Sequence, residues 1–479
     1  MSTTKLSMKN WIALGIVLAL TIFLWAVPTS FFGIEGLTPV MQRTIAIFVF
    51  TALMWIIEVI PTWTTSVVSM VVMLLTISNK GIGFMMYDGA GTYVDYKSIM
   101  AAFADPVIML FLGGFVLAIA ASKVGLDVIL AKALLKPFGK NPKMVLLGFL
   151  FIIGVFSMFM SNTATAAMFL TFLAPVLASL PKDEKGKVGL ALAIPIAANL
   201  GGMGTPIGTP PNAIALGALQ NAGIDITFVD WMLRMVPYVV LMLLLAWVLL
   251  MILFPFKTKA IELKIEGTSN ASKREKIIVS ITFALTILLW VGENWFGISA
   301  NIVALIPFAV FTATGVFSKD DLKEIDWSVL WMVAGGFALG TALNRTGLAS
   351  CLINAVPFAS WNILVVMIAG GLICWILSNF ISNSAAANLI VPILAVVGTA
   401  LLDDPTASAS FIALGGLKSL IVGVAMCASL AMILPISTPP NALAHSTGII
   451  DTKQMATVGV IVGVVGIVLA YLMLVVVGF

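Results

Sequence analysis

Ser157-Met158-Phe159-Met160-Ser161-Asn162-Thr163 and Ser378-Asn379-Phe380-Ile381-Ser382-Asn383-Ser384 are one short polar phrase written twice in a chain of 479 residues that is 61% hydrophobic. Aligning Ser157 with Ser378 superposes the two serines and the asparagine of each phrase and sets Thr163 on Ser384, another hydroxyl. Working outward, Gly113-Gly114-Phe115 matches Gly335-Gly336-Phe337, and Lys123-Val124-Gly125-Leu126 matches Arg345-Thr346-Gly347-Leu348. Downstream, Ile207-Gly208-Thr209-Pro210-Pro211-Asn212-Ala213 matches Ile436-Ser437-Thr438-Pro439-Pro440-Asn441-Ala442. Matches that keep one order at a nearly constant offset are the signature of an internal duplication.

A mean hydropathy of +1.13 with 10% charged residues gives more apolar surface than a soluble core can bury. The chain therefore reads as an all-α polytopic membrane protein. The net charge of +4 is spread over short loops, which points to no nucleic-acid partner. Cys351, Cys374 and Cys427 lie in apolar surroundings, and His445 is the only histidine, so neither a disulfide framework nor a metal cofactor is expected. The first apolar stretch, 11–27, reads as a retained span rather than a leader, because it is too long for a signal h-region and no small-residue cleavage site follows.

Spans are expected at 11–27, 39–60, 62–79 and 98–121, each near the ~20 residues that cross the hydrocarbon layer. An amphipathic stretch lies between Lys123 and Lys140. The apolar segment 144–180 carries Ser161-Asn162-Thr163 at its middle, with no Gly, Pro or charge to mark a solvent turn, and is read as a re-entrant hairpin. Next, 188–200 runs into a Gly- and Pro-dense stretch that no continuous helix tolerates, so this span is broken. Spans at 228–256, 277–296, 300–317 and 327–345 follow, then the second hairpin at 362–402, a second broken helix at 411–447 and a last span from 456. Loops holding Lys123, Lys132, Lys136, Lys140 and Lys143, then Lys182, Lys185 and Lys187, then Lys257, Lys259, Lys264, Lys273 and Arg274, are cytoplasmic by the positive-inside bias. Five crossings separate the two hairpins, so they enter from opposite faces and the repeats are inverted. The total is about 11 transmembrane helices plus two re-entrant hairpins, with the N-terminus cytoplasmic and the C-terminus extracellular, in a multi-pass protein of the cell membrane.

Inverted repeats with discontinuous helices at matched positions point to a secondary transporter with its site at the repeat interface. Hydroxyls, amides and exposed N–H groups at half-helix starts suit a carboxylate, and unwound carbonyls suit a hard cation. An intramembrane enzyme would need a nucleophile with a base, or a metal, and the lone histidine serves it poorly. A channel would need a continuous pore, which hairpins closing opposite faces do not provide.

The paired Ser-Asn-Thr-like tips, the two Thr-Pro-Pro-Asn breaks and Trp55-Ile56-Ile57-Glu58-Val59-Ile60-Pro61 resemble the divalent anion/sodium symporter family, which includes the INDY-type di- and tricarboxylate transporters. The resemblance implies a homodimer in the lipid bilayer that moves as an elevator. Residues 1–140 and 257–360 would form its scaffold, and residues 141–256 and 361–479 its mobile transport domain. It implies C4-dicarboxylates or related keto-acids and citrate as substrates. Carried over by position, Asn162, Thr163, Asn383 and Ser384 contact the substrate carboxylates, and Thr209, Pro210, Thr438 and Pro439 complete the pocket. One sodium site uses Ser157, Ser161, Asn162 and the backbone near Gly208; the other uses Ser378, Asn383 and the backbone near Ser437. Ser384 stands where the family usually has Thr. The family also contains sodium-independent exchangers in which a fixed cation replaces the ion, and His445 is a candidate for that coupling group. Glu58, next to Pro61, reads as interfacial, and the Gly-Gly pairs as close helix contacts.

The topology is open to direct test. On a cysteine-free background, single cysteines at Lys182 and Asp403 should react with an impermeant reagent from the cytoplasm and from the exterior respectively. Labelling of both from one side would remove the inversion.

Overall fold

The computed structural model describes residues 8–181, 183–261, 269–355 and 361–479, with the side chains of all but 178 and 179. Lys5, Lys182 and Lys264, among the charges near span ends, lie outside the described residues. Among those residues the structure is all-helical, with one isolated bridge between Ser78 and Val94. Eight helices among the described residues are long and apolar enough to cross a membrane. The protein is thus a multi-pass membrane protein.

The first half opens with α1 (Met8–Ala26), α2 (Pro39–Ile57) and α3 (Thr62–Thr76). Thr38 starts α2 by accepting from the Met41 amide, with Pro39 in the first turn where no N–H is needed. The span expected at 98–121 is interrupted: α4 (Tyr96–Ala101) and α5 (Pro106–Lys123) are separate helices. Pro106 cannot continue the ladder, and the Asp105 carboxylate accepts from Val107 N at 2.9 Å to begin the chain again. The amphipathic stretch is α6 (Leu126–Leu135), followed by two arms, α7 (Pro142–Phe159) and α8 (Asn162–Ser179), that meet at the first polar phrase. α9 (Gly186–Gly202) and α10 (Pro210–Asn221) are the halves of the first broken helix, and α11 (Phe228–Leu253) closes the half.

The second half begins at α12 (Lys273–Val291), where Ser272 and Glu275 form a reciprocal capping box. The span expected at 300–317 is again divided, after the short α13 (Glu293–Phe296), into α14 (Ala300–Val303) and α15 (Leu305–Thr314). Then come α16 (Trp327–Arg345), α17 (Leu348–Ala355), the arms α18 (Ile363–Ser378) and α19 (Asn383–Asp403), the short α20 (Ser408–Ala413), the halves α21 (Gly416–Ser429) and α22 (Pro439–Ser446), and α23 (Thr452–Val476). The run from α5 to α11 thus recurs as α16 to α23. The duplication read from residue matches is a duplication of structure, and it includes α17, a twin of α6 that had no place in the sequence reading.

Packing falls into two sets. α1 lies on α2, α2 on α3, α3 on α16 and α5 on α15. In the other set α7 and α8 lie on α9, α18 and α19 on α21, and α11 against α9 and α23. The sets meet where α10 and α19 pack on α16 and where α19 reaches α2. The Gly-Gly pairs stand at this seam. A Cβ on Gly113 would run into the Ala304 carbonyl and one on Gly335 into Ser66, both neighbours within the first set. One on Gly336 would run into the Asn388 amide of α19, and one on Gly114 would press on Ile207 of the first break at 3.1 Å. Each pair therefore turns one glycine to its own set and one to the other.

Two loop charges do more than mark topology. Lys123 Nζ lies 2.6 Å from Asp321 Oδ2 and 2.9 Å from the Val316 carbonyl, joining the end of α5 to the loop before α16. Burial pushes the Asp321 carboxyl up, but Lys123 and the Ser318 amide and hydroxyl outweigh it and hold the group below its ordinary range. Glu184, buried, accepts from Gly186 N, Lys257 N, and Thr258 N and Oγ1, tying the exit of α8 to the end of α11.

Because the Ala304 backbone cannot retreat from a new methyl group, Gly113→Ala should cost roughly 1–3 kcal/mol and lower the melting temperature of the purified protein. Gly15→Ala on α1, where nothing lies within 4 Å, should leave it unchanged or raised. Equal melting curves for the two variants would contradict the packing described.

Candidate functional site

Breaking a helix in apolar surroundings exposes carbonyls and amides that must find partners or cost free energy. In the first break, Asn212 fills that need: its Nδ2 donates to the carbonyls of Gly202 at 3.1 Å and Thr205 at 2.7 Å. Asn441 does the same in the second, donating to Met432 O at 2.9 Å and Leu434 O at 3.0 Å. The asparagine of each Thr-Pro-Pro-Asn motif is therefore a brace for the turn that precedes it. Thr209 and Thr438 are the N-caps, and Pro210 and Pro439 take the first positions of α10 and α22. Trp231 Nε1 adds a bond to Met203 O at 2.9 Å, and Thr205 Oγ1 donates to Met158 O.

The tips are built alike. Ser161 and Ser382 are N-caps whose hydroxyls accept from Ala164 N at 3.1 Å and Ala385 N at 3.2 Å. Asn162 and Asn383 open the helices that follow. With its nitrogen inward, the Asn162 amide donates to Ser157 Oγ at 2.6 Å and to the carbonyls of Ala198 and Gly208, each at 3.1 Å. Ser157 Oγ in turn donates to Ala198 O at 2.7 Å. Such contact needs glycine, since a Cβ on Gly202 would collide with the Asn162 amide and one on Gly208 with the Gly202 carbonyl. Thr163 is exposed beside this cluster.

At the second tip the bond between hairpin and break runs through Asn379. Its Oδ1 accepts from Ile433 N at 2.9 Å and from Ser437 Oγ at 3.2 Å, and its Nδ2 donates to Trp375 O at 2.8 Å. Ser378 Oγ and Asn383 Oδ1 are buried with no hydrogen-bond partner, and Ser384 is buried beside them. The two halves are joined by Asn199 of α9, which donates to Thr438 Oγ1 at 3.1 Å and Asn441 Oδ1 at 3.3 Å across the repeat boundary. A continuous polar path thus runs from Asn162 through Ala198 and Asn199 to Thr438, Ser437 and Asn379. Of the residues expected at the site it joins Ser157, Asn162, Gly208, Ser437 and Thr438, while Ser378 and Asn383 stand outside it. The His445 imidazole lies in the last turn of α22, bonded through Nε2 to Thr452 Oγ1 at 3.2 Å. Six residues separate it from Pro439, about 9 Å along a helix.

Asn199 and Asn379 were missed as site residues for a shared reason: their twins, Ala428 and Met158, are apolar, so matching the repeats removed them. A lone amide inside the apolar run of α9 was the available signal for Asn199. Four helices start at the motifs; the first amides of α8 and α19 lack helical acceptors, an arrangement suited to anions, whereas α10 and α22 open on Pro-Pro, which has no amide N–H to offer. A cavity of about 840 Å³ lies between α16 and the helices α10 and α19, lined among others by Ile214, Asn221, Asn344, Arg345, Asn388 and Asp403.

Asn379→Ala should leave the Ile433 amide without its acceptor, while the Ser437 hydroxyl keeps the Asn379 backbone carbonyl at 3.0 Å, a loss of about 1–3 kcal/mol. A lowered melting temperature checks this, and an unchanged one would show that the second break holds without Asn379.

Comparison with known proteins was made against this geometry. The chain is 29% identical over 465 residues to the sodium-dependent dicarboxylate transporter SdcS of Staphylococcus saprophyticus, covering 89% of this chain and 84% of that one. It is 30% identical over 478 residues to an uncharacterized transporter of Haemophilus influenzae, covering 95% of each. The crystal structure of the Alcanivorax borkumensis YdaH transporter aligns with a TM-score of 0.55 at 13% identity, over 80% of this chain and 87% of that one, a likeness of fold. A model of the citrate transporter family CitMHS matches residues 52–415, which take in both tips and the first break. The chain belongs to the CitMHS citrate transporter family, and it is a carboxylate transporter.

Proposed function

We propose that the protein is an INDY-type secondary transporter of dicarboxylates of the succinate, fumarate, malate and 2-oxoglutarate kind, working across the cell membrane by an elevator movement in a homodimer. The observation that carries this reading is the pair of tip-and-break units joined through Asn199, with the open amides at the starts of α8 and α19 and no fixed charge among the joined side chains. Uncharged donors at helix N-termini suit a small dianion that must be released again. The two relatives named as sodium-dependent dicarboxylate transporters, from S. saprophyticus and S. aureus, favour dicarboxylate over the second reading, citrate or another tricarboxylate, which the family's description favours.

In this reading the five crossings between α9 and α16 turn the second hairpin over, so that the tips enter from opposite faces. The set holding α7–α11 and α18–α23 is the transport domain, and the set holding α1–α5 and α12–α16 is the scaffold. Gly114 and Gly336 give the seam a surface without side chains for sliding. Asn162, Thr163, Asn383 and Ser384 bind the substrate carboxylates at the starts of α8 and α19, with Thr209, Pro210, Thr438 and Pro439 beneath.

Sodium is the coupling ion this donor set suits. If the Asn162 amide turns its oxygen inward, that oxygen joins Ser157 Oγ and the Ala198 and Gly208 carbonyls, a group of oxygens suited to a hard cation. The buried, unpartnered oxygens of Ser378 and Asn383 favour a second cation beside Ser437. Exchange without sodium would draw its positive charge from His445, whose Nε2 lies 3.2 Å from Thr452 Oγ1.

Uptake of labelled succinate into proteoliposomes, with and without sodium and with and without internal succinate, tests the reading. Sodium-dependent uptake into empty vesicles is the symport outcome; uptake only against internal succinate is exchange; neither, with citrate carried instead, leaves the second reading. Asn162→Ala and Asn383→Ala should each lose charge-assisted bonds worth roughly 1.5–3 kcal/mol and weaken succinate affinity at least tenfold. Unchanged affinity in both folded variants would remove the tips from the site.

A further inference from the structure

Glu58 is the one non-glycine residue with a positive φ among the described residues, at 51°. A residue with a Cβ is disfavoured in that left-handed region, and backbone held there marks a place where a side chain is being aimed. Glu58 ends α2 one turn before α3 begins, and Trp55 Nε1 braces the turn by donating to Thr62 O at 3.1 Å. The turn carries the Glu58 carboxylate out of α2 to the backbone N–H of Ser382, the N-cap of the 21-residue α19, and α2 packs against α19. The residue is exposed, so its side chain stands at the surface beside the tip rather than in the core. The Trp55–Pro61 stretch, read from sequence as a span end, thus brings this residue to the second polar phrase.

We propose that Glu58 is an internal carboxylate that competes with the substrate for the amide donors at the start of α19, and that it thereby sets both the affinity and the charge tolerance of the site. The proposal rests on the anion site described above, whose second tip is Asn383-Ser384, the two residues after the amide that Glu58 takes. Two carboxylates cannot share one small set of donors without repulsion, and the repulsion rises with the charge of the incomer. A scaffold carboxylate in this position tolerates a dianion and penalises a trianion more heavily. It is a specificity-determining group of the same chemical class as the ligand, contributed by the set of helices that does not carry the tip.

Counterflow of labelled succinate and of labelled citrate in proteoliposomes, measured at one fixed pH and sodium concentration, tests this. Glu58→Gln should lower the KM for succinate at least fivefold and the KM for citrate by a larger factor, so that the succinate-to-citrate preference shrinks. Glu58→Asp, which withdraws the carboxylate by one methylene, should lower both KM values by less. Monodisperse variants with KM unchanged or raised, or with the preference unmoved, would overturn the proposal; if Glu58→Gln does not fold, the Glu58→Asp result decides it by the same rule. Wild-type protein that shows saturable counterflow of neither anion would instead overturn the anion site itself.

Discussion

Interrupting a helix where no water reaches leaves backbone carbonyls and amides without partners, and the rest of this structure is arranged around meeting that need. Asn212 and Asn441 reach back to the carbonyls their own turns expose. Asn379 receives an amide and a hydroxyl from the second break, while Asn162 lies against a carbonyl from the first. Each hairpin is thereby fastened to the break of its own repeat. At the site it is Asn199 that crosses between repeats. Amides suit this work because each carries donors and an acceptor without a charge to desolvate.

The same economy explains what the site leaves open. Serine N-caps at both tips satisfy one amide each and leave the first amides of α8 and α19 facing outward. Glycines at 202 and 208 let the first tip lie against backbone rather than side chains. A binding surface made largely of backbone has a shape set by the fold, and its ligand meets groups that do not need to reorganise.

What the residues revealed in advance follows from what repeats. The tips, the breaks and the long helices announced themselves because each feature occurs twice in one order, and the helix boundaries near them followed from caps and prolines. Pro106 and the division after Val303 were not legible, because a single interruption inside an apolar run has no matched partner to confirm it. Asn199 and Asn379 were hidden for the same reason, each lying opposite an apolar twin. Glu58 was visible as a charge near a proline, but its direction depends on a left-handed backbone that no pattern of residue types encodes.

Lys123 and Arg345 occupy matched positions at the ends of α5 and α16, yet Lys123 is held by Asp321 while Arg345 lines the cavity between the helix sets. The tips differ in the same way, one hooked through Ser157 and Asn162 and the other through Asn379. Duplication has thus given the molecule a symmetric scheme of chain tracing with unequal energies at corresponding points. Two arrangements related by exchanging the roles of the halves cannot then be isoenergetic. If the proposed alternation exchanges the roles of the halves, a carrier built this way has a preferred resting side, fixed by which half holds the more completely bonded tip.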